Sequence, residues 1–247
     1  MRTANGESVL SRVVRIVETF GSDTPALRVT DIARRTGLHV ATVSRLVDEL
    51  VRHGWLHRDP DRTVCIGVRM WEVASRASST LPLHEAALPF MADLHAVIGH
   101  HVQLGVRQEH EVLFVERLSA PGAVINYTRI AGRLPLHASS SGLVLLAHAP
   151  ADVQEAVLGE PRHRYTRNTV TDPKRLRVLL ADVRRNGYSF CPGFIDVAAT
   201  GIAVPLRGKD NAVVAALSAI VPNDRNARMP IPALRAAARG ISRIISQ

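Results

Sequence analysis

A short stretch near the start of the chain carries side chains suited to reading the edges of DNA base pairs. His39, Val40, Ala41, Thr42, Ser44 and Arg45 lie at helical spacing outside a stripe formed by Val43, Leu46, Val47 and Leu50. Threonine and serine hydroxyls donate to or accept from bases and phosphates, and a guanidinium grips guanine with two parallel hydrogen bonds. Arg58 and Arg62 flank Asp59-Pro60-Asp61, placing two cations where a strand turn would meet the DNA backbone or minor groove.

These groups are useful only if a helix presents them in a groove. The segment from Val29 to Gly54 has the spacing of a helix-turn-helix. Thr30 is the expected N-cap of a first helix that runs through Ile32, Ala33 and Arg35. Gly37 supplies the turn, and the second helix starts at about Val40 with its apolar stripe inward. Ala33 has to be small where the second helix crosses it. Trp55 to Arg58 and Arg62 to Ile66 are β-prone runs around an Asp/Pro turn, a hairpin in the position of a wing. Upstream, Val9, Val13, Ile16, Val17 and Phe20 make one more helical stripe. The sum is a winged helix over residues 1–67, followed by a linker helix over 68–80 whose Val68, Trp71 and Ala74 offer an apolar stripe to a partner helix.

A second set of chemistry-bearing residues lies further on. Ser139, Ser140 and Ser141 precede Gly142 at a helix start, where backbone N–H groups and hydroxyls can hold an anion or serve as a plain N-cap. Phe190 to Phe194 form a turn-rich apolar loop suited to lining a pocket, with Phe190, Phe194, Ile202 or Ile220 expected around the body of a ligand. Cys191, or Ser140 or Ser141 with His137, would be the nucleophile of an enzyme, but Ala138 replaces the first glycine of a GxSxG elbow around Ser140. His100 and His101 are neighbours on a strand and point to opposite faces, so they cannot share a metal ion. Nothing in the sequence calls for a cofactor or metal.

Residues 81–247 alternate strands (102–106, 112–118, 124–127, 188–191, 201–206, 213–221) with helices (83–98, 143–148, 152–158, 173–186, 232–246). This pattern implies an α+β domain built on a mixed sheet flanked by helices. No apolar run is long enough to span a bilayer and the first residues lack a signal-peptide core, so the expectation is a cytoplasmic protein without membrane contact. Two cysteines, Cys65 and Cys191, do not make a disulfide framework. The formal net charge is +9. Residues 1–80 hold 12 basic and 9 acidic side chains and the remainder 19 and 13, so most of the excess lies outside the winged helix. An architectural DNA-coating protein would not need so large a companion domain.

The winged helix, LPLHASSSG at 134–142, GYSF at 187–190, GIAVPL at 201–206 and VVAALSAIVP at 213–222 together resemble the IclR family of transcriptional regulators over nearly the whole chain. The resemblance implies a GAF-like effector-binding domain at 81–247. It further implies a homodimer or dimer of dimers on a pseudo-palindromic promoter operator, and a small-molecule effector of the carboxylic-acid class. It puts the effector on Ser140, Ser141, Cys191, Gly201, Ser218 and Ile220, with Ala123, Asn126 and Tyr127 on a facing strand. Family members often carry an acidic residue at the place of Cys191, a cysteine at that of Gly201 and a serine at that of Ile220, which implies a more apolar pocket here.

Overall fold

A computed structural model describes residues 7–21, 23–77, 80–126 and 128–247. The chain divides into two compact units, Met1–Ser78 and Ser79–Gln247.

In the first unit, α1 (Val9–Val17), α2 (Val29–Thr36) and α3 (Val40–Arg52) pack around Ile16, Ile32, Ala33, Val43, Leu46 and Val47. A three-stranded antiparallel sheet of β1 (Ala26–Leu27), β2 (Leu56–Arg58) and β3 (Val64–Ile66) adds Leu27, Leu56 and Val64 to that core. Gly37 sits in the left-handed region at φ 67, where a side chain would be strained, and turns α2 into α3. The sequence places the N-cap at Thr30, but α2 begins earlier. Arg28 is its N-cap residue, no side chain caps it, and Thr30 lies inside the first turn. The linker helix expected over 68–80 is α4 (Val68–Ala77), with 78 and 79 outside the described residues; it buries none of its residues, and Val68 and Trp71 are each 69% exposed.

The second unit has α5 (Leu81–Ile98), β4 (His101–Gln108), β5 (Glu111–Leu118), β6 (Arg133–Pro135), α6 (Ser140–Ala147), α7 (Ala151–Gly159), α8 (Pro173–Asn186), β7 (Ser189–Pro192), β8 (Ala199–Arg207), β9 (Val213–Pro222) and α9 (Ile231–Ile245). Pro82, which reads as a break in the sequence, stands in the first turn of α5, where its missing N–H costs nothing. The strands form one sheet in the order β6-β5-β4-β9-β8-β7. Every pairing is antiparallel, so the sheet is not mixed as expected. The reason is connectivity. Three tight hairpins join neighbours, and the helical excursion from β6 to β7 links the two opposite edges instead of making a parallel crossover.

Side chains alternate between two cores. Val102, Leu104, Ile202, Val204, Leu217 and Ala219 face α5 and α9, while Phe114, Cys191, Ala203 and Ala216 face α6 and α8. Residues 124–126 form no strand; β6 takes that place at the sheet edge, with Phe114 N–H bonded to the Gly132 carbonyl. The intervening loop is instead tied down by the His101 ring, which donates to the Val124 carbonyl (2.6 Å) and accepts from Ser119 Oγ (3.0 Å).

His101 shares an electrostatic condition with His137, whose ring donates to the His163 carbonyl, and His148, which donates to the Val144 carbonyl. Burial pushes all three below the ordinary imidazole value of 6.5, so the folded state holds them neutral. The unfolded chain binds protons that the folded one refuses, so stability is retained above that value and falls as pH drops through it. Urea unfolding of the second unit between about pH 7.5 and pH 5 should lose up to about 1.4 kcal/mol per pH unit for each ring. A flat profile over that range would contradict the neutral assignment.

Candidate functional site

The residues that the sequence singles out fall at two places, one in each unit. In the first, α3 presents an exposed face. Val40 is 46% exposed, Ala41 and Arg45 are exposed, and Thr42 and Ser44 are half-buried at its edge. His39 precedes the helix as its N-cap, its Nδ1 accepting from the Ala41 N–H (3.4 Å). Arg45 and Arg62 have no ion pair or side-chain hydrogen bond among the described residues, whereas Arg34, Arg52 and Arg58 are paired with Asp31, Glu49 and Asp48. Arg58 therefore braces the hairpin against α3 at 2.7 Å instead of standing free at the turn. Arg62 holds the turn itself, at φ 68. The exposed face thus combines two unneutralised guanidiniums, two hydroxyls and a small apolar patch.

In the second unit, the pairing registers build a cavity floor from two rows of side chains across the sheet. One row runs His101, Ile220, Gly201, Cys191, and the next runs Gln103, Ser218, Ala203, Ser189. The start of α6 lies over these rows. Ser141 Oγ donates to Ser218 Oγ (2.9 Å), and Ser189 Oγ donates to the Ser140 carbonyl (2.8 Å). Gly201 is required by this approach, because a Cβ there would fall 2.8 Å from Ser140 Oγ. A side chain at this place would displace the Ser140 hydroxyl.

Between these elements is a cavity of about 50 Å³, walled by Phe114, Leu134, Ala138, Phe194, Ile195 and Ile220. At roughly 10–15 Å³ per water in this measure, it holds a few waters or a small organic molecule. Its polar groups are few and oriented. Ser139 Oγ caps α6 by accepting from the Gly142 N–H (3.0 Å), leaving the remaining first-turn N–H groups without intrahelical acceptors. Ser140, 4% exposed, lines the cavity, and its hydroxyl has no partner among the described residues. Facing it from the loop, Asn126 Oδ1 accepts from both the N–H (3.0 Å) and the hydroxyl (2.7 Å) of Thr128. The Thr128 hydroxyl in turn accepts from buried Gln103. Those two donors fix the amide orientation and turn Asn126 Nδ2, buried and without a partner, into a donor awaiting an acceptor. The lining includes one carboxylate, Asp196, and no cation.

The structure brings together Ser140, Ser141, Cys191, Gly201, Ile220 and Asn126. Ser218 stands behind Ser141 and touches the cavity only through it. Ala123 does not line it and belongs to the turn closed by its N–H on the Ala120 carbonyl. Tyr127 lies outside the described residues. Phe194 and Ile220 face the cavity, but Phe190 and Ile202 pair with each other on the opposite face, where Arg228 stacks 4.0 Å above the Phe190 ring. Sequence reasoning missed Gln103, Phe114, Thr128 and Asp196. Gln103 had a signal: a lone amide within the apolar run His101 to Val106 marks a polar group that must find a buried partner.

Cys191 is fully buried, and burial pushes its thiol above the ordinary range, so it is a small neutral side chain and not a nucleophile. His137 spends its Nε2 on a backbone carbonyl. Among the described residues, no cluster could hold a metal ion, and no helix is long and apolar enough to cross a membrane.

Comparison with known proteins agrees with both units. The model of the IclR helix-turn-helix domain matches residues 9–60, and that of the bacterial transcriptional regulator IclR C-terminal domain matches residues 75–247. The transcriptional regulator XynR of Escherichia coli K12 is 26% identical over 85% of this chain and 84% of its own length. The p-hydroxybenzoate hydroxylase transcriptional activator of Acinetobacter baylyi is 29% identical over 91% of this chain and 85% of its own. The crystal structure of an IclR homologue from Microbacterium hydrocarbonoxydans complexed with 4-hydroxybenzoate is 49% identical, covering 96% of this chain and 99% of that one, with a TM-score of 0.92.

Proposed function

The chain belongs to the IclR family of DNA-binding transcriptional regulators, and from that premise we propose that it couples operator binding to a monocyclic aromatic carboxylic acid of the 4-hydroxybenzoate kind. DNA is read by Thr42, Ser44 and Arg45 with His39, Val40 and Ala41 beside them. Arg62 on the wing and Thr30 at the start of α2 meet the backbone, and Arg58 holds the wing in place. The effector lies between the α6 start and the loop carrying Asn126. Its carboxylate takes the positive end of α6 and the Ser140 hydroxyl, which supply the favourable potential in a lining that has no cation and one carboxylate, Asp196. Its ring contacts Phe114, Phe194 and Ile220, and an oxygen acceptor on the ring meets Asn126 Nδ2.

The observation that carries this reading is the buried, unpartnered Asn126 Nδ2 on a small apolar cavity that Ser140 and the start of α6 also line. The 4-hydroxybenzoate bound to a 49% identical homologue supports the same chemistry. Thermal shift with 4-hydroxybenzoate tests it. At a hundredfold excess over Kd, binding adds about 2.7 kcal/mol to stability and the melting point rises. Ser140→Ala should weaken binding about tenfold or more, the worth of a hydrogen bond to a charged group, without lowering the melting point of the free protein. No shift with 4-hydroxybenzoate, benzoate or other hydroxybenzoates would sink the ligand class. Ser141→Leu would be a poor probe of the site because Ser141 is 1% exposed against the sheet and leucine would overpack it.

We further propose that the protein acts as a homodimer, or a dimer of two such dimers, on a two-half-site operator. One winged helix reaches few base pairs, and two linked readers gain affinity from effective concentration. The exposed Trp71 and Val68 of α4 are the surface offered for pairing. Light scattering of Trp71→Glu should give a smaller species than the wild type.

A further inference from the structure

The excess positive charge outside the winged helix has a definite place in the fold. A cleft of about 860 Å³ runs between the hairpin turn joining β8 to β9 and the C-terminal two-thirds of α9. Arg207 and Lys209 stand on the hairpin wall, Arg235, Arg239 and Arg243 on the helix wall, and Asp210 is the one carboxylate in the lining. Five cations against one acid account for most of the surplus in this unit.

The helix wall is built at a cost to itself. Arg235, Arg239 and Arg243 repeat every four residues, so they stack along one face, and like charges at that spacing repel. No aspartate or glutamate occurs anywhere on α9 to offset them. Two of the five cations are partly engaged: Arg207 holds the Asn211 carbonyl, and Arg235 holds the Asn186 carbonyl beside the Tyr188 ring. Lys209, Arg239 and Arg243 are exposed and have no partner among the described residues. A row of cations that repels itself, forms no ion pair among the described residues and has only Asp210 as a carboxylate in its cleft is suited to an anion from outside.

The shape selects among anions. From Arg235 to Arg243 the row extends about 12 Å along the helix. A DNA strand carries one phosphate per about 3.4 Å of axis, so the row faces three or four successive phosphates. The cleft is open along its length and its cations are spread along it instead of converging on one point, which suits an extended polyanion better than a single compact anion. We propose that this cleft is a second, sequence-independent contact of the protein with the sugar–phosphate backbone of duplex DNA, separate from the winged helix. The proposal rests on the DNA-binding reading only for the presence of DNA.

The test uses the full chain and a labelled mixed-sequence duplex of about 60 base pairs, titrated across NaCl concentrations. Each phosphate contact contributes about 0.9 to the slope of log K against log salt. The variant Lys209→Gln/Arg239→Gln/Arg243→Gln removes charge from three partnerless side chains and should lower that slope by about 2 to 3. The charge-retaining variant Lys209→Arg/Arg239→Lys/Arg243→Lys should keep the wild-type slope. Arg45→Ala/Arg62→Ala should lower the slope independently, and the two losses should add. A wild-type slope in the glutamine variant, alongside a reduced slope in Arg45→Ala/Arg62→Ala, overturns the cleft and leaves the reader standing. A wild type whose duplex binding does not depend on salt overturns both. If the glutamine variant keeps its duplex slope but loses thermal stabilisation by inorganic pyrophosphate, the cleft is a compact phosphate site and the DNA assignment fails.

Discussion

Replacing Thr42, Ser44 and Arg45 together by alanine should erase the preference of this protein for its operator while leaving the fold intact. None of the three belongs to the buried core of α1, α2 and α3, and alanine favours the helix they stand on. An arginine bidentate to guanine is worth about 1–3 kcal/mol of discrimination, and the hydroxyl contacts add to it. The measurement compares a duplex enriched by the wild-type protein from a random pool with an unselected duplex. The affinity ratio should fall toward unity, whereas Arg62→Ala should weaken both duplexes to a similar extent because phosphates carry no sequence. A triple variant that still prefers the enriched duplex would move the reading surface away from α3.

Gly142→Ala should be the most damaging single methyl in the effector domain. A Cβ at this position would sit 2.4 Å from the Leu136 carbonyl oxygen, 2.6 Å from Leu136 Cα and 2.7 Å from Ser139 Oγ. Backbone cannot yield as a flexible side chain does, so α6 must shift. The shift breaks the Ser139 cap on the Gly142 N–H and separates Ser141 from Ser218. Overpacking costs about 1–3 kcal/mol and a lost cap about 1 kcal/mol more. Urea unfolding of the second unit should therefore move to a much lower midpoint, and stabilisation by 4-hydroxybenzoate should disappear because the Ser140 hydroxyl leaves the cavity. Ser140→Ala separates the two effects, since it removes the ligand contact and leaves the seat of α6 untouched. A Gly142→Ala protein with wild-type stability and response would show that the close approach of α6 to Leu136 is not required.

Both predictions turn on local features with different visibility in the sequence. The helix-turn-helix was legible because it obeys short-range rules. Gly37 ends one helix in the left-handed region, Val43, Leu46 and Val47 repeat at helical spacing, and the residues left over form the exposed face. The helix at 173–186 was equally plain, with Asp172 as cap, Pro173 in the first turn and Gly187 beyond the end. The serine run 139–141 offered an N-cap without saying which serine supplies it; Ser139 does, and α6 starts at Ser140, three residues before the expected 143. Thr30 failed as a cap because packing of Ile32 and Ala33 on α3 carries the first turn back to Val29, two residues before the start that a Thr30 cap implies.

The cavity belongs to the tertiary structure. Which of Phe190, Phe194, Ile202 and Ile220 meet the ligand depends on sheet register, and a one-residue change of register reverses every side chain. The pairing Phe190–Ile202 against Cys191–Gly201 decides it, and no local signal reports that pairing. Gln103, Thr128 and Asn126 come from a strand and a distant loop, and their shared network exists only once His101 and Arg117 have drawn the loop against the sheet. The basic cleft is similar: helical spacing in the sequence gives Arg235, Arg239 and Arg243 one face, but only folding brings Lys209 and Arg207 opposite them. By itself the sequence determined most of the elements, the cap and stop of the helix at 173–186, the helix-turn-helix and the family, because these depend on residues within a few positions of one another. Tertiary structure alone decided which side chains converge on the cavity and the cleft, because convergence depends on strand pairing and helix docking between residues far apart in the chain.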